Sequence, residues 1–387
     1  ILLKGSRRFH FERIGRMLED KIHTTVLEVN LDHMIHNLNY FRSLLHESVQ
    51  MMAMVKAAGY GTGTFEVANM LEQQGVSFLA VAFADEGVTL REAGITMPIV
   101  VLNADSDSFE LMLDYRLEPE IYNRLSLLSF AETVRRHGEA SYPIHIKLDT
   151  GMHRLGFERK DIDSLIHTLK ETPELYIRSI FSHLAGSDES RFDDFTRSQI
   201  ALFDELSSRL TAAFPDHHIL RHIANSAAIE RFPEAQFDMV RLGIGLYGIS
   251  AVDQEQLLPV STLRSRIVQI KDIPVGDSIG YGRHKIVTDH PIRIATVPIG
   301  YADGLNRHLS QERWSFIVKG QPAPIVGNIC MDTCMIDITG IDAKENDTVT
   351  IFGEGASIIR MAEVLDTIPY EIMTSVSGRV KRIYTKE

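Results

Sequence analysis

The stretch Met54-Val55-Lys56-Ala57-Ala58-Gly59-Tyr60-Gly61-Thr62-Gly63 sets one lysine where an apolar run meets a glycine-rich segment. The run from Met51 to Val55 reads as a short buried strand. Gly59, Gly61 and Gly63 read as the turn that ends it and lets another group approach the backbone. Burying an ammonium is costly unless it has a partner or a task. One task is to tether an aldehyde cofactor such as pyridoxal phosphate, with the amine's pKa lowered by desolvation. The plain alternative is a lysine that snorkels from the strand end to solvent. On these ten residues the two readings stand even.

Other strand ends carry polar groups in the same way. Lys147 and Asp149 lead into Thr150-Gly151-Met152-His153-Arg154-Leu155-Gly156, and a later apolar run ends at Ser182-His183-Leu184. Beyond these come Ala224-Asn225-Ser226-Ala227-Ala228 and Val240-Arg241-Leu242-Gly243-Ile244-Gly245. Hydroxyls and glycine amides after the last two strands of a barrel commonly bind phosphate, and here Ser226, Gly243 and Ile244 would supply them. Alone, His183 is more often a satisfied core histidine and Arg241 an ion-pair partner. Five polar strand ends facing one mouth are harder to dismiss.

These ends need a scaffold that gathers them. Candidate strands are Met51–Val55, Phe78–Ala82, Ile99–Leu102, Glu120–Tyr122, Ile144–Leu148, Arg178–Ser182, Ile219–Ile223 and Asp238–Leu242. Amphipathic stretches lie between them, among them Phe65–Gln74, Asp161–Glu171 and Asp194–Phe214. Eight strands alternating with helices point to an α/β fold, a TIM-like (β/α)8 barrel, with a doubly wound sheet as the competitor. Ahead of them, Val26 to Leu31 alternates like a strand, and Asp32 can cap the helix through Ile35, Leu38 and Phe41. After about Pro259 the runs are short, often alternating and separated by Gly, Asp and Pro, which predicts a mostly β C-terminal domain. The expected division is an N-terminal extension over 1–23, a barrel over 24–258 and a β-rich domain over 259–387.

A chain of 387 residues exceeds one ordinary core, in keeping with that division. The formal net charge of −12 argues against nucleic acid and anionic membrane surfaces as partners. No apolar run reaches the length of a membrane span. Cys330 and Cys334 are the only cysteines, which fits a reducing cytoplasm, and they lack partners at zinc spacing, so no metal is expected.

Taken in order, these motifs resemble the alanine racemases, a family with a pyridoxal-phosphate barrel followed by a β domain. The likeness runs from about Thr25 to Arg382. It also rests on Gly280-Tyr281-Gly282, Gly300-Tyr301-Ala302-Asp303-Gly304, Cys330-Met331-Asp332 and Pro369-Tyr370-Glu371. The resemblance implies that Lys56 holds pyridoxal 5'-phosphate and acts as base on one face of the substrate α-carbon, with Tyr281 on the other. A phenol with an ordinary pKa of about 10 is a poor base. The family's Tyr–His–Arg chain, here Tyr281, His183 and Arg241, would favour its phenolate. Arg241 would also face the pyridine nitrogen and leave it unprotonated. Tyr60, Ser226, Gly243, Ile244 and Tyr370 would bind the phosphate. Arg154 and the Met331 amide would take the substrate carboxylate, with Lys147 beside Arg154 as a carbamylated lysine. Tyr301 and Tyr370 would narrow the entrance towards a small substrate, alanine first and serine second. A homodimer with shared active sites is implied as well. Ala58 and Thr62 stand where the family usually has Asn and His, which changes the loop's hydrogen bonds but removes no catalytic group.

The first residues resemble something else. Ile1 to Arg7 reads as a strand end and turn, and Phe11 to Asp20 as a short amphipathic helix. This segment resembles the close of the Mur ligase that adds D-alanyl-D-alanine, which implies a ligase fused upstream. Competing functional readings are a racemase of another small amino acid, a basic amino-acid decarboxylase and a non-catalytic pyridoxal-phosphate carrier. The decarboxylases' glycine-triplet phosphate motif is not found, and the carriers lack a β domain.

Overall fold

A computed structural model of the chain describes residues 24–386. The proposed ligase-like segment, residues 1–23, lies outside the described residues. Two compact units emerge: one takes 24–29 and Ser261–Ile383, the other Asn30–Val260 and 384–386.

The second unit is the barrel. Its strands are β2 (Gln50–Met54), β3 (Phe78–Val81), β4 (Ile99–Val101), β5 (Glu118–Ile121), β6 (Tyr142–Lys147), β7 (Leu175–Phe181), β8 (Leu220–His222) and β9 (Met239–Leu242). All eight form one sheet in the order β8-β7-β6-β5-β4-β3-β2-β9, with every recorded pair parallel. Irregular backbone bonds draw β8 and β9 together: Asp238 N–H donates to Arg221 O and Arg241 N–H to Ala224 O, both at 3.0 Å. Each strand falls within a few residues of its expected position. Buried parallel strands read as short continuous apolar runs, which is why periodicity located them. The helices Phe65–Gln73, Ile162–Lys170 and Asp193–Ala213 also lie where expected.

The other unit is a nine-stranded sheet with a small hairpin. Its strands include β10 (Ser261–Arg266), β11 (Gln269–Ile273), β14 (Ile292–Val297), β15 (Ser315–Val318), β16 (Gln321–Val326), β17 (Cys334–Asp337) and β18 (Thr348–Phe352). Strands β12 (Ser278–Ile279) and β13 (Lys285–Ile286) form the hairpin.

Three details differ from the sequence reading. The first strand, β1 (Val26–Asn30), does not open the barrel; it pairs antiparallel with β10, from Val26 opposite Arg264 to Val29 opposite Ser261. Its alternation of half-buried and buried residues suits a sheet with unlike faces, not a barrel stave buried on both. The cap of the following helix is Asn30, whose side chain accepts from His33 N–H at 2.9 Å; Asp32 lies inside the first turn. Strand β16 carries Pro322 and Pro324 within its paired length, whereas proline was expected between the β runs.

Candidate active site

Strand alternation decides what points into the barrel. On β5 the inward positions are Glu118 and Glu120, on β6 His145 and Lys147, on β7 Ser179 and Phe181, with His222 on β8 and Arg241 on β9; all are buried. Cross-strand register pairs Glu120 with His145, His145 with Ser179, Lys147 with Phe181 and Phe181 with His222. The barrel interior is therefore polar along one side.

Arg241 is the most tightly held of these. One guanidinium nitrogen donates to Ser182 O at 2.6 Å and Ile223 O at 3.0 Å, the other to His222 Nδ1 at 2.8 Å. A contact of 3.3 Å joins Arg241 to His183 Nδ1. Arginine can only donate, so both histidines accept at Nδ1 and carry their proton on Nε2. Burial, then the Arg241 charge, holds both well below the ordinary histidine pKa, so both are neutral. Burial also lowers Arg241 itself to about 10, which leaves it cationic at neutral pH.

The His222 tautomer fixes a chain of donors. Its Nε2–H donates to Ser179 Oγ at 3.0 Å, the Ser179 hydroxyl donates to His145 Nδ1 at 2.6 Å, and His145 Nε2–H donates to Glu118 at 2.8 Å. Arg178 lies 3.2 Å from the other Glu118 oxygen. Each donor points away from Arg241, so one line of hydrogen bonds runs from the buried guanidinium to the Glu118 carboxyl group. Glu118, His145, Ser179 and His222 were absent from the sequence-based candidates. The inward alternation of Glu118/Glu120 and His145/Lys147 was the available signal.

Lys56 follows β2 and is partly buried. Burial, then the Arg154 charge, lowers its pKa, while Glu86 opposes the shift. The next four residues, Ala57, Ala58, Gly59 and Tyr60, all have φ between 51° and 60°, a left-handed turn that costs about 1–2 kcal/mol per non-glycine residue. Bonds hold it: Gly59 N–H donates to Val55 O and Gly61 N–H to Ala57 O, each at 2.9 Å. Glu86 clamps its start, accepting from Ala57 N–H at 2.5 Å and Ala82 N–H at 2.7 Å. The expected glycine turn is thus longer and more strained than the glycines alone required.

The turn delivers Tyr60 against Tyr247, ring centroids 4.6 Å apart, and Tyr247 donates to Met54 O at 2.8 Å. Close by, Ser226 Oγ accepts from Gly243 N–H at 3.0 Å and Gly245 N–H at 3.2 Å. Those bonds use the oxygen's lone pairs and leave its proton for a ligand. A Cβ on Gly243 would lie 3.3 Å from the Tyr60 hydroxyl and 3.8 Å from Ser226 Oγ, so glycine keeps this cradle open. Asn225 caps the short helix Ser226–Arg231 by accepting from Ala228 N–H at 3.0 Å. Lys147 lies 3.7 Å from Glu120 and 4.3 Å from the centre of the Phe181 ring. Arg154 is exposed on the loop after β6. Asp149 holds that loop by accepting from Gly151 and His153 N–H at 2.9 and 3.0 Å.

The barrel unit thus carries Lys56, Tyr60, Lys147, Arg154, His183, Ser226, Arg241, Gly243 and Ile244. Tyr281, Tyr301, Met331 and Tyr370 belong to the other unit. Tyr281 stands on the β12–β13 hairpin, 72% exposed, with Asn328 donating to its carbonyl at 3.0 Å. Tyr301 and Met331 are also exposed, on two turns laced together: Tyr301 N–H donates to Cys330 O at 3.1 Å and Ala302 N–H to Met331 O at 3.0 Å. Arg379 ties the same turns, donating to Asp303 at 2.6 Å and Asp332 at 2.8 Å. Tyr370 is exposed in the first turn of the helix Pro369–Ser375.

Residues 29–251 match the family model described as "Alanine racemase, N-terminal domain", and residues 260–384 match "Alanine racemase, C-terminal domain". The chain belongs to the alanine racemase family. It is 39% identical over 379 residues to alanine racemase 2 of Caldanaerobacter subterraneus subsp. tengcongensis, with 94% of this chain and 96% of that protein covered. The alanine racemase of Clostridium difficile 630 superposes with a TM-score of 0.88 at 36% identity, covering 94% of this chain and 96% of that one. The alanine racemase of Bartonella henselae, solved with covalently bound pyridoxal phosphate, does so with a TM-score of 0.84 at 28% identity, over 94% and 99% of the two chains.

The barrel of this alanine racemase family member has a donor set that fits pyridoxal phosphate. A lysine with a lowered pKa, a serine proton beside a glycine cradle, and a pinned guanidinium suit the aldehyde, the phosphate and the ring nitrogen respectively. Among the described residues no group of three or more His, Cys, Asp or Glu side chains could hold a metal ion, and no helix is long and apolar enough to cross a membrane.

Proposed function

We propose that this chain interconverts L-alanine and D-alanine with pyridoxal 5'-phosphate, using one base on each face of the substrate α-carbon. The observation that carries the reading is the Arg241–His183 contact of 3.3 Å, made beside a lysine of lowered pKa. When bound, pyridoxal phosphate supplies an electron sink for the α-carbon. Lys56 holds the cofactor and exchanges a proton on one face. Its lowered pKa leaves more of the amine free to accept that proton. Tyr281 serves the other face. The His183 tautomer leaves Nε2–H as a donor for the Tyr281 oxygen, which favours the phenolate. Arg241, held by carbonyls and by His222, would meet the cofactor's ring nitrogen as a donor that keeps its proton. Tyr60, Ser226, Gly243 and Ile244 with Tyr370 take the phosphate. Arg154 and the Met331 amide take the substrate carboxylate, and Tyr301 narrows the pocket.

The barrel therefore holds cofactor, and the β-rich region supplies Tyr281, Tyr301 and Met331. We infer a head-to-tail homodimer in which these come from the partner subunit. D-Alanine made in the cytoplasm would enter peptidoglycan precursors. The ligase-like residues 1–23 belong, on this reading, to an upstream D-alanyl-D-alanine-adding ligase in the same polypeptide. A stop codon just upstream of Ile1 in the encoding frame would end that part.

The decisive experiment mixes two inactive variants, Lys56→Ala and Tyr281→Phe. With trans sites, a mixed dimer has one site with both lesions and one with neither. Alanine racemisation is expected to return towards about a quarter of the wild-type rate after random subunit exchange. Demonstrated exchange with no return of activity would mean that Tyr281 serves its own chain or is not the base.

A further inference from the structure

Glu120 has no part in the chemistry assigned so far, yet it lies among the groups that do. It sits on β5, 1% exposed, and its Oε1 has no hydrogen-bond partner. That oxygen is 3.7 Å from Lys147 Nζ. On Lys147's own side, the Phe181 ring centre is 4.3 Å from Nζ and offers no hydrogen-bond acceptor beyond its π face. Arg241 on β9 and Arg154 on the loop after β6 are the other charges felt by both members of the pair. Burial by itself favours the neutral form of each partner, raising Glu120 and lowering Lys147; the attraction of the pair for each other opposes both shifts, and the Arg241 and Arg154 charges further favour the Glu120 carboxylate.

We propose that Glu120 is a built-in counter-ion that holds Lys147 as an unmodified ammonium and keeps it from capturing carbon dioxide. This reading replaces the carbamylated lysine expected from the family resemblance, and it rests on Lys147 and Arg154 belonging to the substrate carboxylate pocket. Carbamylation needs the free amine: the Nζ lone pair forms a bond to the carbon of CO2, one C=O pair moves onto oxygen, and a proton leaves nitrogen for solvent. Glu120 opposes it twice. Its charge stabilises the protonated amine, which cannot attack. It would then face a new anion at close range inside a buried site, where like charges repel strongly. The anion that a carbamate would contribute beside Arg154 is already present in the chain. Lys147 is thereby a positioning residue whose charge is cancelled by its neighbour, leaving Arg154 as the cation facing the substrate carboxylate.

The test equilibrates the holoenzyme with 13C-labelled bicarbonate and looks for a carbamate carbon by 13C NMR. Wild type, Lys147→Ala, Glu120→Gln and the double variant Glu120→Gln/Lys147→Ala are compared. No carbamate resonance is expected in wild type. Glu120→Gln removes the anion, frees the amine and should acquire the resonance, which the double variant should lose. Alongside, the wild-type KM for alanine should be equal in CO2-depleted and bicarbonate-supplemented buffer, whereas that of Glu120→Gln should change several-fold between them. A resonance in wild type that Lys147→Ala abolishes would overturn the proposal without needing any Glu120 variant to fold. A folded, cofactor-loaded Glu120→Gln that gains no label would overturn it as well, since Glu120 would not then be what excludes CO2. Absence of racemisation by wild type would defeat the functional reading while leaving the NMR result standing.

Discussion

Ser179→Ala isolates the buried donor chain. The hydroxyl bridges His145 Nδ1 at 2.6 Å and His222 Nε2 at 3.0 Å, and all three residues are at most 1% exposed. Alanine fits the space but leaves one donor and one acceptor unpaired. A buried polar group left unsatisfied costs about 1–3 kcal/mol. Loss of one hydroxyl leaves a gap too small for a replacement water. The expected destabilisation from the two groups is therefore about 2–6 kcal/mol, or a fall in Tm of roughly 4–24 °C at about 2–4 °C per kcal/mol for a unit of this size. Arg241 keeps its bonds to Ser182 O and Ile223 O, so kcat should stay within about threefold. The assay is thermal unfolding of the holoenzyme by circular dichroism, with racemisation followed by chiral chromatography. A Tm within 2 °C of wild type would refute the aligned chain, because about 0.5–1 kcal/mol is less than the two orphaned buried groups together cost. A collapse of kcat with unchanged Tm would instead show that the chain acts on the chemistry directly.

Three other outcomes follow from the geometry. Lys56→Ala should abolish racemisation and leave no pyridoxyl adduct after borohydride reduction; an adduct mapped by mass spectrometry to another lysine in wild type would move the tether elsewhere. The folded pKa of His222 lies well below its ordinary value through burial and Arg241. Below about pH 6.5 the unfolded chain therefore binds a proton that the folded chain refuses, and stability should fall with acidification by up to about 1.4 kcal/mol per pH unit from this residue. Urea midpoints at pH 7.5, 6.5 and 5.5 test the sign, and stability that is flat or rises towards pH 5.5 contradicts it. In Gly300→Ala the new Cβ would lie 2.2 Å from Met331 O and 2.4 Å from Cys330 O, so the turn carrying Met331 must shift. The KM for alanine should rise about tenfold, equivalent to about 1.4 kcal/mol, and an unchanged KM would show that this turn does not meet substrate.

The sequence by itself determined the local elements. Eight candidate strands, most of them short apolar runs, became eight parallel strands, and three amphipathic stretches became helices, because burial on two faces or on one stripe writes its own pattern into the chain. It also set Lys56, Lys147, His183 and Arg241 at or just beyond strand ends, since the side chain's position follows from where the run stops. Tertiary structure decided the rest. Val26–Asn30 alternates like any half-buried strand, and only its pairing with Ser261–Arg266, more than 200 residues away, assigns it to the β-rich unit. The left-handed turn at Ala57–Tyr60 is imposed on alanines that do not favour it, held by Glu86 from another element. The chain from Arg241 to Glu118 draws one residue from each of five strands, β5 to β9. No spacing along the sequence encodes it, because it exists only once the barrel brings those strands around a common interior, where each unpaired donor would otherwise be buried at a cost.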